Sequence, residues 1–130
     1  MEDEKEQIIQ AWEQGGNALE NNDWETYSEY WAHTDYIQII HPKEKEWLQG
    51  WDIIGQSYKD FLEQGLNIQA ESSDVNIQIS SGAKMAWLTC KTKIKMIAED
   101  TLEFESWQTN IFEKIEGEWR LVHGHASNLY

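Results

Sequence analysis

The stretch Glu116-Gly117-Glu118-Trp119-Arg120-Leu121-Val122-His123-Gly124-His125-Ala126-Ser127 decides how this chain folds. Glu116-Gly117 stands between two alternating apolar runs, which marks a tight two-residue hairpin turn. The returning strand ends in an imidazole–glycine–imidazole triplet. If the loop has two residues, Val122, Gly124 and Ala126 share one face of that strand, and Leu121, His123 and His125 share the other.

The strand before the turn, Thr101–Ile115, reads back through a turn at Ala98–Asp100 into Met85–Ile97. Centring that turn on Glu99 sets Lys95 opposite Glu103 and Lys93 opposite Glu105, the favourable cross-ladder arrangement of charge. The same face continues as Lys91 beside Trp107, Thr89 beside Thr109 and Trp87 beside Ile111. It runs from a charged rim to an aromatic interior and is expected to be the inner wall of an open cone, continued by Gly124. The opposite face, with Leu121, His123, His125, Leu88 and Cys90, carries few charges and suits sheet-to-sheet dimerisation. Before Ser81-Gly82, Leu66, Ile68 and Ala70 alternate, and Val75, Ile77 and Ile79 alternate with shifted parity. That shift predicts a bulge near Glu71 to Asp74.

Further upstream the period becomes helical. Ile8, Ile9, Trp12 and Leu19 fall on one side of a helix over residues 4–21. Gly15-Gly16 interrupt its middle at about 1 kcal/mol each relative to Ala. They are either tolerated or required by a group that approaches too closely for a side chain. Asp23 is placed to cap a short second helix with Trp24, Tyr27, Tyr30 and Trp31. Residues 34–41 read as a strand stopped by Pro42, and residues 47–50 as a short return strand. Ile54, Tyr58, Phe61 and Leu62 stripe a third helix over residues 52–64, stopped by Gly65. Helices followed by long antiparallel strands make an α+β domain, with helices on one face of a strongly curved antiparallel sheet.

At 130 residues the expectation is one domain over 1–130. No run approaches the roughly 18 apolar residues that a membrane helix needs. The acidic start Met1-Glu2-Asp3-Glu4-Lys5-Glu6 is unlike a signal peptide, and a lone Cys90 fits a reducing, cytoplasmic setting. Ten Lys and Arg against 24 Asp and Glu leave a net charge of −14, which repels phosphate backbones and argues against a nucleic-acid partner. A neutral or cationic ligand is favoured instead. Eight tryptophans, each able to bury roughly 150–250 Å², exceed what so small a core absorbs. Two or three are expected in a cavity and others at an interface.

The closing hairpin resembles that of the NTF2-like families, including the SnoaL-like proteins and the association domain of calcium/calmodulin-dependent kinase type II. Those end in a similar run of glycine, tryptophan and then Val-His-x-His-x-Ser. Ile8-Ile9, Asn22-Asp23, Tyr27, His41-Pro42, Gly50, Ala86-Trp87 and Thr109 extend the resemblance over most of the chain. It implies the NTF2-like cone. The related ketosteroid isomerases suggest a proton-transfer base just before a proline, which here is His41, an imidazole able to act near neutral pH. Their oxyanion-binding tyrosine and acid fall near Gly15 and Thr109, so steroid isomerase activity itself is not implied. The kinase hub's cavity arginines fall at Thr89 and Ala126, and anion binding in that manner is not implied either.

Three classes of function stay open. One is a small-molecule-binding protein whose cone, lined by Trp12, Gly15, Gly16, Trp87, Thr89, Trp107, Thr109 and Gly124, takes a neutral hydrophobic or aromatic ligand. Another is an isomerase- or cyclase-type enzyme acting on a carbonyl compound through His41. The third is a dimeric association module without chemistry. No cofactor is expected. His123 and His125 at i, i+2 have no carboxylate or cysteine in a recognised ligand spacing, so no metal site is expected. Cys90 reads as a small buried hydrophobe. His41 has the plainer reading of a strand-end residue bonded to backbone.

Overall fold

Two helices, a strand pair, a third helix and four long strands follow one another in a computed structural model that describes residues 2–42 and 44–128. They are α1 (Glu2–Glu20), α2 (Trp24–Tyr30), β1 (Gln38–Ile40), β2 (Leu48–Gln49), α3 (Trp51–Glu63), β3 (Asn67–Ile79), β4 (Met85–Ile97), β5 (Leu102–Ile115) and β6 (Glu118–Asn128). The strands form one open six-stranded sheet in the order β2-β1-β6-β5-β4-β3.

Local chemistry sets the boundaries. The Asp23 carboxylate accepts from the Thr26 amide at 3.2 Å and caps α2. Gly65, at φ +66°, takes the left-handed conformation that ends α3. Glu116 and Gly117, at φ +51° and +82°, form the two-residue turn between β5 and β6, with Ile115 paired to Glu118. The β4–β5 ladder pairs Lys95 with Glu103, Lys93 with Glu105 and Trp87 with Ile111, the register that the charge pattern predicts. The parity shift in β3 is a bulge between Ser73 and Asn76, where Asp74 has φ +54°.

The first strand differs from the expectation in its direction and its length. The sheet is mixed, because β1 runs parallel to β6, setting Gln38 beside His123 and Ile40 beside His125. The strand expected over 34–41 also shrinks to three residues. Its approach is held by longer-range bonds instead, with the Ala32 amide donating to Leu121 and the Trp51 amide to Thr34.

The faces of β4 and β5 are reversed from the sequence reading. Ala86, Leu88, Cys90, Ser106 and Phe112 face inward and are buried, while Trp87 and Trp107 lie outward at 45% and 48% exposure. The concave side of the curved sheet packs on Ile8, Trp31, Ile37 and Ile54, all fully buried, so it takes the uncharged row and leaves Lys91, Lys93, Glu103 and Glu105 on the outer one. In β6, Gly124 and Ala126 do face inward, but so does Leu121. The β5–β6 ladder slips between Ile111 and Phe112, pairing Phe112 with Leu121 and Ile111 with His123. That slip absorbs Val122 and separates Leu121 from the outward His123 and His125.

The first turn of α1 is pinned to the last hairpin. One Glu4 carboxylate oxygen accepts from Lys114 Nζ at 2.7 Å and the other from Trp119 Nε1 at 2.8 Å. Bonding to Lys114, then to Trp119, holds the Glu4 carboxyl below its ordinary pKa.

Candidate functional site

Between the helices and the inner face of the sheet lies a cavity of about 880 Å³. Its helical wall is aromatic: Trp12 from α1, Tyr27, Tyr30 and Trp31 in and after α2, Tyr58 and Phe61 from α3. The sheet contributes Ile68, Ile94, Met96 and Phe104, together with a band of small polar groups from Ser72, Thr92, Ser106, Gln108 and Asn110. Ser72 and Thr92 share a hydrogen bond at 3.1 Å, and Gln108 Nε2 donates to Ser106 Oγ at 3.4 Å. Glu13 and Glu20 also line it, so carboxylates flank a mostly apolar space.

The tyrosines behave as buried groups. Desolvation pushes the Tyr27 phenol up to about 12, despite the Trp31 indole that donates to its oxygen at 3.2 Å. Desolvation also holds Tyr30 and Tyr58 well above 10, with neighbouring Tyr27 adding to both shifts. All three are neutral donors at physiological pH.

His41 follows β1 directly and lines the cavity with Pro42. Its Nδ1 lies 2.5 Å from Glu44 Oε1, which also accepts the His41 backbone N–H at 2.7 Å. Its Nε2 lies 2.8 Å from the Tyr58 hydroxyl. A carboxylate on Nδ1 fixes that nitrogen as the protonated one, so Nε2 accepts and the Tyr58 O–H donates. Glu44, His41 and Tyr58 therefore form one hydrogen-bonded chain ending at the cavity wall, and the plainer reading of His41 as backbone-bonded gives way to this contact.

The other candidate residues divide into two groups. Trp12, Gly15, Gly16 and Gly124 line the cavity beside His41. Gly15 is required by packing, since a Cβ there would lie 2.8–2.9 Å from the Tyr30 ring, whereas a Cβ on Gly16 would meet nothing within 4 Å. Gly124 lies under Ile39, whose side chain would be 3.2 Å from an added Cβ. Trp87, Thr89, Trp107 and Thr109 stand on the outer face, with Thr89 opposite Thr109 and Lys91 Nζ 5.8 Å over the Trp107 ring. Of the eight tryptophans, Trp12 and Trp31 line the cavity.

Also outward, Trp47 packs on His123 and His125, with ring centroids 5.0 and 5.8 Å apart. Burial, then the neighbouring His125, lowers the His123 pKa. Among the described residues no group of three or more His, Cys, Asp or Glu is arranged to hold a metal. Cys90 is buried beside Thr92, and desolvation raises its pKa. Among the described residues no helix is long and apolar enough to cross a membrane.

Sequence reasoning missed Glu44, Tyr58, Gln108 and Asn110. Glu44 stands three residues after His41, a spacing that lets a carboxylate turn back onto the ring. Tyr58 sits in the apolar stripe of α3 and reads there only as core.

A family model described as the SnoaL-like domain matches residues 6–130. The chain is 30% identical over 99 residues to the F-box protein SKIP8 of Arabidopsis thaliana. That match covers 75% of this chain and 38% of the plant protein, so the chain spans well under half of that relative's length. A Streptomyces avermitilis protein of the NTF2-like family, proposed to be a dehydratase, superposes with a TM-score of 0.86 at 23% identity, covering 98% of this chain and 97% of that one. A structure from Xanthomonas campestris, proposed as a calcium/calmodulin-dependent kinase II association domain, gives 0.78 at 12% identity, covering 94% and 85%. At these identities the two structures establish a shared fold.

Proposed function

The chain belongs to the SnoaL-like domain family, and on that footing we propose that it binds a small, neutral, largely apolar or aromatic molecule in its concave cavity. The observation that carries this reading is the cavity itself. Its volume of about 880 Å³ falls within the range of small-molecule sites, and aromatic walls surround a few convergent polar groups. Because the space is open rather than filled by the chain's own indoles, ligand binding is better supported than a purely structural association module. Glu13 and Glu20 on the lining and the net charge of −14 favour a neutral ligand over an anion.

Native mass spectrometry of freshly purified protein tests the reading, with a thermal-shift screen of neutral aromatic compounds as its second arm. Compounds that raise the unfolding midpoint of the wild type should lose that effect in Ala126→Phe, which projects a ring into the cavity. An equal response in both proteins would place binding elsewhere and refute the site.

A second reading, an isomerase- or cyclase-type enzyme acting on a carbonyl compound with His41 in proton transfer, is favoured by one contact. The Glu44 carboxylate on Nδ1 holds the ring in one orientation and tautomer, with Nε2 as its accepting nitrogen. His41→Ala should keep the fold and remove any such activity.

Self-association is part of the proposal: a homodimer through the outer sheet face carrying His123 and His125. In its support, that face exposes Trp47, Met85, Trp87 and Trp107 by 40–48% on a strongly acidic chain. Leu121, buried in the core, has no part in it.

A further inference from the structure

We infer that Tyr58, not His41, is the group that exchanges a proton with the bound molecule, His41 and Glu44 acting behind it as positioning residues. This rests on the cavity being a ligand site. Both ring nitrogens of His41 are occupied, Nδ1 by Glu44 at 2.5 Å and Nε2 by Tyr58 at 2.8 Å. No nitrogen is left to meet a ligand. The Tyr58 oxygen donates its single proton to Nε2, and it keeps lone pairs free to accept another. Tyr58 lines the cavity among Tyr27, Trp31 and Phe61, where an aromatic ligand would pack.

The matching chemistry is proton abstraction from a neutral aromatic or conjugated carbonyl compound with an acidic C–H or O–H. That bond breaks, its electron pair stays on the ligand as an enolate or phenolate, and the proton goes to the Tyr58 oxygen. As it arrives, the proton already on Tyr58 passes to His41 Nε2. The resulting imidazolium lies against the Glu44 carboxylate, so the positive charge forms next to a fixed negative one. Tyr58 never has to exist as a free phenolate, which its buried position disfavours. Return of the proton at another atom of the ligand completes an isomerisation.

The test uses 5-nitrobenzisoxazole, a neutral aromatic compound that loses its ring C–H proton to a base. The C–H electron pair forms a nitrile as the N–O bond breaks, releasing a coloured phenolate. Binding is followed separately by quenching of tryptophan fluorescence. Wild-type protein should open the probe at least tenfold faster than Tyr58→Phe, which removes one oxygen and preserves the ring packing. His41→Gln and Glu44→Gln should lie with Tyr58→Phe. In the wild type, the ¹⁵N spectrum of His41 should show Nδ1 protonated and Nε2 hydrogen-bonded, and Tyr58→Phe should shift Nε2 alone.

Full activity in Tyr58→Phe with none in His41→Gln would overturn the inference and leave His41 as the direct base. Binding of the probe with no turnover above buffer would overturn it while sparing the ligand site. Failure of the probe to bind counts against the ligand site. In that case the inference falls with the site, and the Nε2 shift reports only whether the Tyr58–His41 hydrogen bond forms in solution.

Discussion

Gly15 and Gly16 are adjacent in the middle of one helix, and the structure assigns their alanine variants opposite signs. Replacing a helical glycine by alanine gains roughly 0.5–1 kcal/mol, because the backbone loses less entropy on folding. Gly16 should collect that gain in full, since nothing lies within 4 Å of the added Cβ. At Gly15 the same Cβ would lie 2.8 Å from Tyr30 Cγ and 2.8 and 2.9 Å from its two Cδ atoms. Those atoms sit at the root of a ring that also packs on Tyr27 and Phe112, with centroids 6.0 and 5.9 Å away, so they have little room to yield. Overpacking of this kind costs about 1–3 kcal/mol. The helix gain is common to both variants and cancels between them, leaving Gly16→Ala more stable than Gly15→Ala by about 1–3 kcal/mol. For a domain of this size 1 kcal/mol moves the melting temperature by about 4 °C, so the two midpoints should differ by roughly 4–12 °C. Thermal and urea unfolding of wild type and both variants measure this. Equal midpoints for the two alanine variants would refute the claim that Gly15 exists to admit the Tyr30 ring.

Two further outcomes are expected. With the Glu4 pKa depressed in the fold, the Lys114 and Trp119 bonds contribute stability above the ordinary carboxylate pKa of 4.5 and lose it as pH falls through the lower folded value. Glu4→Gln should therefore be less stable than wild type at pH 7, the gap closing in acid; urea midpoints across pH 2–7 check this, and a pH-independent gap would count against it. Trp87→Glu combined with Trp107→Glu should convert the proposed dimer to a single chain in light scattering at micromolar concentration, with the far-UV spectrum unchanged. A wild type that already scatters as one chain removes the dimer proposal.

Features that depend on neighbours in sequence were legible before the structure. The Glu116-Gly117 turn, the Asp23 cap, the Gly65 stop and the β4–β5 register each follow from a few consecutive residues and their charges. The choice of face was not local. Ala86, Leu88 and Cys90 alternate with Trp87, Thr89 and Lys91, and either row satisfies a period of two. What decides between them is which row meets Ile8, Trp31 and Ile54 across the core, and those partners come from distant parts of the chain. The parallel pairing of β1 with β6 likewise joins segments more than 80 residues apart in the chain, as Gln38 and His123 do. Of the candidate site, the family resemblance singled out His41 from its place before Pro42, and it lines the cavity. Its partner Tyr58 was hidden in a helical stripe whose apolar period describes packing and says nothing of where one hydroxyl ends.

The Glu4 clasp also bears on the order in which the molecule can assemble. Its partner Trp119 stands 115 residues downstream, and joining ends that far apart in an unstructured chain costs roughly 4 kcal/mol in closure entropy alone. The hairpins β3–β4, β4–β5 and β5–β6 need no such closure, because each pairs with its immediate successor. Once they have zipped together, the span left to close runs only from Glu4 to Asn67 at the start of β3, and the inner surface is already curved. The first helix is therefore expected to dock late over a curved trough, with the Glu4 clasp fastening its start to the last hairpin.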